Sequence, residues 1–138
     1  NGLSLIPIGS IVVGNMMTAH TLAARRFFPE LRDKIGIYEG VLALGLPRRR
    51  AIWMVLEPVA SEPLVPTLDS TRTVGLVTLP GAFIGVLLGG GTPLQAGASQ
   101  LLVLVGILVG QVITVTVMHR MIAAAYLLPT DLRGALRA

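Results

Sequence analysis

The chain has 138 residues, 53% of them hydrophobic and only 13% charged, against roughly 25% charged in soluble domains, which excludes an ordinary solvated globular domain. Its apolar weight comes from Leu, Val, Ile, Ala and 16 glycines rather than from aromatics, the palette of helices packed in a membrane. The absence of cysteine excludes disulfides, thiolate metal sites and cysteine nucleophiles, and the net charge of +4 follows membrane topology rather than nucleic-acid binding.

The chain opens on Asn1 rather than Met, and an upstream part is expected. From Leu3 to Ala24 there are 22 residues without a formal charge, where roughly 20 cross the hydrocarbon layer as a helix, so a first span is expected over about residues 3–24. The Arg25-Arg26 pair follows this stretch instead of preceding it, the reverse of a secretory signal. Asn15 is its most informative polar residue: an amide in hydrocarbon either bridges helices or lines a polar path. Met16 and Met17 adjoin it, but neighbouring side chains on a helix diverge by about 100°, which disfavours a thioether metal site. Ser10, with a distant His20 or His119, is the only material for intramembrane serine catalysis, and no Gly-x-Ser-x-Gly turn supports it.

Residues 25–72 form a charged middle segment. Leu31, Ile35, Tyr38 and Leu42 recur at helical spacing, then Gly45-Leu46-Pro47 signals a stop and restart, and a second short helix is expected over Arg48–Val59. Arg48, Arg49 and Arg50 beside Trp53 suit either anionic lipid headgroups or the acidic cleft of a soluble partner. Pro58, Pro63 and Pro66 mark an irregular return to the membrane.

From Thr73 to Met118 another 46 residues pass without a formal charge, enough for two spans, expected over about 73–91 and 94–118. Pro80 lies inside the first of these and cannot donate to the Leu76 carbonyl. The expected kink belongs to a translocation path or is satisfied by Thr78 or a neighbouring helix. Gly89-Gly90-Gly91 ends this span, with Thr92 as N-cap and Pro93 as first helical residue of the next. Gly81, Gly85 and Gly89, and likewise Gly106 and Gly110, repeat every fourth residue, suiting close helix packing or a sliding seam. The third helix reaches past His119 and Arg120 to Pro129 at most. His20 and His119 read as solvated interfacial residues, and a metal site between them lacks carboxylate partners.

All eleven Lys and Arg lie within 25–72 or from Arg120 onward, so the positive-inside rule places the middle segment and the tail, 119–138, in the cytoplasm. The expected fold is an all-α polytopic transmembrane bundle with three spans and a cytoplasmic helix.

The stretches Ile6-Pro7-Ile8-Gly9 through Gly14-Asn15-Met16-Met17, then Leu42-Ala43-Leu44-Gly45, and Pro66-Thr67-Leu68-Asp69-Ser70 running into Thr73-Val74-Gly75-Leu76-Val77-Thr78-Leu79-Pro80-Gly81 resemble the FetB-type permeases of ABC transporters, implicated in iron export. Plant relatives of that family are linked to aluminium tolerance. The middle segment is also similar to the coupling loop of ABC importers, Glu-Ala-Ala, three residues, Gly, nine residues, Ile-x-Leu-Pro. Glu39, Gly45, Val55 and Pro58 fall in register, with Gly40, Val41 and Glu57 as departures.

The resemblance implies that residues 1–138 are the C-terminal part of one permease domain, preceded by roughly four further membrane helices. It implies a bacterial inner-membrane protein with a cytoplasmic C-terminus, a permease homodimer in lipid that exports a metal ion, iron. A separate ATPase subunit would hold ATP and Mg, with no cofactor on this chain and no nucleic-acid partner. A coupling helix is expected near Leu42 to Met54. Glu39, Gly45, Arg48, Arg49 and Arg50 would contact the ATPase, and Asn15, Met16, Thr78 and Pro80 would line the path. Asp69 at the cytoplasmic mouth would cap the second span or pair with Arg72. Another substrate, aluminium-related or a nucleotide sugar, and a non-transporting membrane scaffold remain as alternatives.

Overall fold

A computed structural model of the chain describes residues 2–74 and 80–136. They form helices without a strand: α1 (Gly2–Asp33), α2 (Ile35–Ala43), α3 (Arg48–Leu56), α4 (Val65–Thr73), α5 (Gly81–Leu88), α6 (Pro93–Ala123) and α7 (Thr130–Ala135), with 3-10 turns at Glu57–Val59 and Glu62–Leu64. The all-α expectation holds for the described residues.

Two helices, α1 over Ile6–Asp33 and α6 over Pro93–Ala123, are long and apolar enough to cross a membrane. At 32 residues, α1 is about 48 Å long, well beyond the roughly 30 Å hydrocarbon layer. It does not end at Ala24, because Arg25 and Arg26 are good helix formers and charge alone does not break a helix. The break comes at Lys34, so the apolar stripe expected as one helix is divided between α1, which holds Leu31, and α2, which holds Ile35, Tyr38 and Leu42.

Helix α2 ends in a Schellman motif: the Gly45 amide donates to the Leu42 carbonyl at 2.8 Å and the Leu46 amide to the Val41 carbonyl at 3.4 Å. Gly45 has φ +80°, a left-handed conformation that glycine adopts without a Cβ penalty. Pro47, extended at ψ 146°, then precedes α3. The single coupling helix expected over Leu42 to Met54 is therefore two helices joined by a sharp elbow, as Gly45-Leu46-Pro47 dictates.

The same device closes α5, where the Gly90 and Gly91 amides donate to the Leu87 and Val86 carbonyls at 3.0 and 2.9 Å. Helix α6 then opens on a capping box: the Thr92 amide donates to Gln95 Oε1 at 3.0 Å and the Gln95 amide to Thr92 Oγ1 at 3.3 Å. Thr92 and Pro93 take the places expected of them. Helix α5 has only eight residues, about 12 Å. The expected span over 73–91 is not one helix in the described residues, and 75–79, with Thr78, lie outside them.

The chain divides into two units, Asn1–Met17 with Leu64–Val112 and Thr18–Pro63 with Ile113–Ala138. In the second, Ala19, Ala23, Phe27 and Leu31 make a fully buried i, i+4 stripe on α1. It shares that unit's core with Tyr38, Ile52, Leu56, Met118, Ile122, Leu132 and Leu136. In the first unit α6 leaves Leu101, Leu102, Val105 and Val109 exposed, Val105 at 58%. A row of large apolar side chains facing outward suits lipid rather than water.

Candidate functional site

The second unit builds its centre around the α2–α3 elbow. His119 of α6 is buried, and its ring stacks on Trp53 of α3 at 4.2 Å between centroids and 21° between planes. Phe27 of α1 flanks it at 5.7 Å. Its Nε2 is buried and without a hydrogen-bond partner among the described residues. His119 is therefore not the solvated residue expected, because aromatic side chains from two other helices cover it.

Tyr38 of α2 is buried, and its hydroxyl donates to the Leu136 carbonyl at 3.1 Å. Burial pushes its phenol up from the usual value near 10, and the positive charge of Arg48 opposes that shift in part. The tail is docked a second time by Arg32, whose Nε donates to Asp131 Oδ2 at 2.8 Å. That hydrogen bond holds the Asp131 carboxyl below its ordinary value. Further ion pairs join Arg26 to Glu62 at 3.1 Å and Lys34 to Glu30. Solvent-accessible pairs such as Arg26–Glu62 and Arg32–Asp131 set geometry more than stability.

The three consecutive arginines do not form one surface. Arg49 and Arg50 are exposed and line a groove with Pro47, Trp53, Met54 and Glu57. Arg48 is half-buried and lines a different cavity, with Ala125, Tyr126 and Arg133. Successive residues on a helix diverge by about 100°, so adjacent arginines must part.

In the first unit, α1 and α6 meet over small residues. A Cβ on Gly106 would lie 3.5 Å from Val12, and one on Gly110 would lie 3.1 Å from both Val12 and Met16. Asn15 Nδ2 donates to the Ile11 carbonyl at 2.9 Å, within its own helix. The Asn15 carbonyl accepts from Gln111 Nε2 at 3.4 Å. Gln111 is 2% exposed, and its Oε1 is buried without a partner among the described residues.

A family model described as an uncharacterised protein family, UPF0014, matches residues 2–127. The chain belongs to the UPF0014 family. Over 100 residues it is 36% identical to Protein ALUMINUM SENSITIVE 3 of Arabidopsis thaliana, covering 72% of this chain and 37% of that protein. It is 35% identical over 99 residues to UPF0014 membrane protein YjkA of Bacillus subtilis, covering 72% and 40%. The Probable iron export permease protein FetB of Escherichia coli is 31% identical over 101 residues, covering 73% and 39%. The chain thus spans well under half the length of these curated relatives. No solved structure matches it.

In this UPF0014 chain the remaining expected residues fall as follows. Glu39 is exposed on α2, and Gly45 forms the exposed elbow between α2 and α3. Met16 packs against Gly110. Pro80 does not kink a continuous helix; it is extended, with ψ 142°, and stands immediately before α5, the place where a missing N–H costs nothing. Asp69 and Arg72 are exposed within α4. Asp69 lies inside α4, and α5, the described helix of the second span, has Pro80 at its N-cap, so Asp69 does not cap α5, and no ion pair joins it to Arg72 among the described residues.

Ser10 donates to the Ile6 carbonyl of its own helix at 2.9 Å. No group of three or more metal-ligating His, Asp or Glu side chains occurs among the described residues.

Two features of the UPF0014 chain escaped the sequence reading. One is the burial of Gln111, a polar residue visible within the third span whose partner, 96 positions away, the sequence does not show. The other is α7, announced by Leu128, Leu132 and Leu136 at helical spacing and by Pro129 before Thr130.

Proposed function

We propose that this chain is the C-terminal part of a permease subunit of an ABC transporter that exports a metal ion, iron, driven by ATP hydrolysis in a separate ATPase subunit. The observation that carries this reading is the likeness, over 73% of the chain, to the Probable iron export permease protein FetB. The elbow between two short helices supports it mechanically. The α2–Gly45–α3 unit passes rigid-body motion of a nucleotide-driven partner into α6, on which it stacks through Trp53 and His119.

In this reading α1, the segment over 73–91 and α6 are three spans, with 25–72 and the tail on the cytoplasmic side of a bacterial inner membrane. Glu39, Gly45, Arg49 and Arg50 contact the ATPase, while Arg48 turns toward the tail. Asn15, Met16, Thr78 and Pro80 line the path, and the buried Gln111 adds an amide oxygen to it. The permease works as a homodimer in lipid, and ATP and Mg reside on the ATPase.

The test uses the full-length permease with its ATPase in inverted vesicles, following iron accumulation with ATP and with a non-hydrolysable analogue. ATP-dependent accumulation is expected. Intact ATPase binding without iron uptake would remove iron and favour another substrate, a reading supported by the name of ALUMINUM SENSITIVE 3.

A further inference from the structure

We infer that the cavity between α3 and the tail is a binding site for a phosphate-bearing anion, held by Arg48 and Arg133. Arg48, Ala125, Tyr126 and Arg133 line this cavity, so two guanidiniums face it and, among the described residues, no carboxylate does. The space is an open groove, with Arg48 half-buried and Arg133 exposed, and two like charges lining one groove repel each other, a repulsion that an anion between them removes. The nearby acid, Asp131, is already engaged by Arg32.

The arginines are also held ready for a ligand. Arg133 Nε donates to the Leu128 carbonyl at 3.0 Å, which fixes its stem and leaves its terminal amino groups to bind. The Arg48 guanidinium also bonds the Tyr38 side chain, but its Nε is shut off from solvent without a partner among the described residues, a donor that costs free energy until an acceptor reaches it. The Met121 and Ile122 carbonyls at the end of α6, next to the cavity, already accept from the Tyr126 and Ala125 amides at 3.0 and 2.8 Å.

A planar guanidinium pairs two N–H groups with two oxygens, so two of them suit a tetrahedral oxyanion better than a halide or a single carboxylate. The groove, about 360 Å³ and open to solvent, admits such a group with accompanying water. The ligand class is therefore a phosphate, carried by a lipid headgroup or free in solution. Its occupancy would lock the tail onto the first turn of α3.

The experiment uses the full-length protein in neutral detergent. One arm titrates inorganic phosphate calorimetrically. The other measures retention of phosphatidylglycerol against digalactosyldiacylglycerol, which has no phosphate, by native mass spectrometry. Retention of phosphatidylglycerol alone identifies a headgroup site, and binding of inorganic phosphate identifies a free-anion site. In either case Arg48→Gln and Arg133→Gln each weaken binding about tenfold or more, and Arg133→Lys, which keeps the charge, weakens it less. Binding of neither probe by the wild-type protein overturns the proposal, a result that does not depend on the variants folding. Unchanged affinity in a folded Arg48→Gln/Arg133→Gln double variant overturns it as well. Both arms are independent of transport, so they stand or fall apart from the permease reading.

Discussion

The Trp53 indole lies on the His119 imidazole with 4.2 Å between ring centroids, and this stack ties the helix after the elbow to the last turns of α6. Trp53 keeps 38% of its surface exposed while His119 keeps 6%. One face of the indole is thus a lid on the histidine, and the rest belongs to the outer groove. The expected consequence is coupling: Trp53→Ala and His119→Ala each lower the unfolding midpoint, and a double-mutant cycle gives an interaction of about 1 kcal/mol. Additive effects would mean that the stack is contact without energy.

Both glycine turns hold a left-handed glycine, Gly45 at φ +80° and Gly90 at φ +84°, and the second adds a steric need at Gly91. At Gly45 a Cβ meets nothing within 4 Å, so Gly45→Ala pays only for φ +80°, about 1 kcal/mol. At Gly91 a Cβ falls 2.6 Å from Val86 Cγ1 and 2.9 Å from the Val86 carbonyl. Gly91→Ala therefore destabilises through steric displacement of the α5 end. Ala125 has φ +63° without being glycine, and Ala125→Gly raises stability by about 1 kcal/mol. Thermal unfolding of the three variants checks the order.

The tail is expected to loosen at both ends of the pH range. The Asp131 carboxyl is depressed by its hydrogen bond from Arg32, so its contribution is present above the unfolded carboxylate value and is lost as pH falls through the folded one. The Tyr38 phenol is raised by burial, so its contribution is present below the usual value near 10 and is lost as pH rises through the folded one. Hydrogen exchange of residues 128–136 reads both limbs. Asp131→Asn removes the acid limb, and Tyr38→Phe removes the alkaline one.

Gln111 sets stability against function. Gln111→Leu removes a buried acceptor that has no partner among the described residues, so the unfolding midpoint holds or rises. Transport in inverted vesicles falls if the amide belongs to the path. A variant that is both more stable and fully active would make Gln111 a packing residue.

Charge reversal separates the arginines. Arg49→Glu with Arg50→Glu is expected to abolish co-purification of the ATPase in detergent free of anionic lipid, because both lie in the exposed groove. Retained ATPase binding would leave lipid anchoring as their role.

The sequence by itself determined the turns that join several of the helices. Gly45, Gly90, Thr92 with Gln95, and Pro93 act through hydrogen bonds that close within a few residues, and those local rules were legible without a fold. Apolar content was legible for the same reason, as was the motif block that announced the family, whereas helix lengths were not: α1 runs on to Asp33 and α5 has eight residues. The tertiary structure alone decided which polar groups are buried. Tyr38 reaches Leu136 across 98 positions, Arg32 reaches Asp131 across 99 and Gln111 reaches Asn15 across 96. A side chain's burial and charge environment depend on such distant neighbours, and so the inward turn of Arg48, the covering of His119 and the docking of the tail became visible only once the helices were packed.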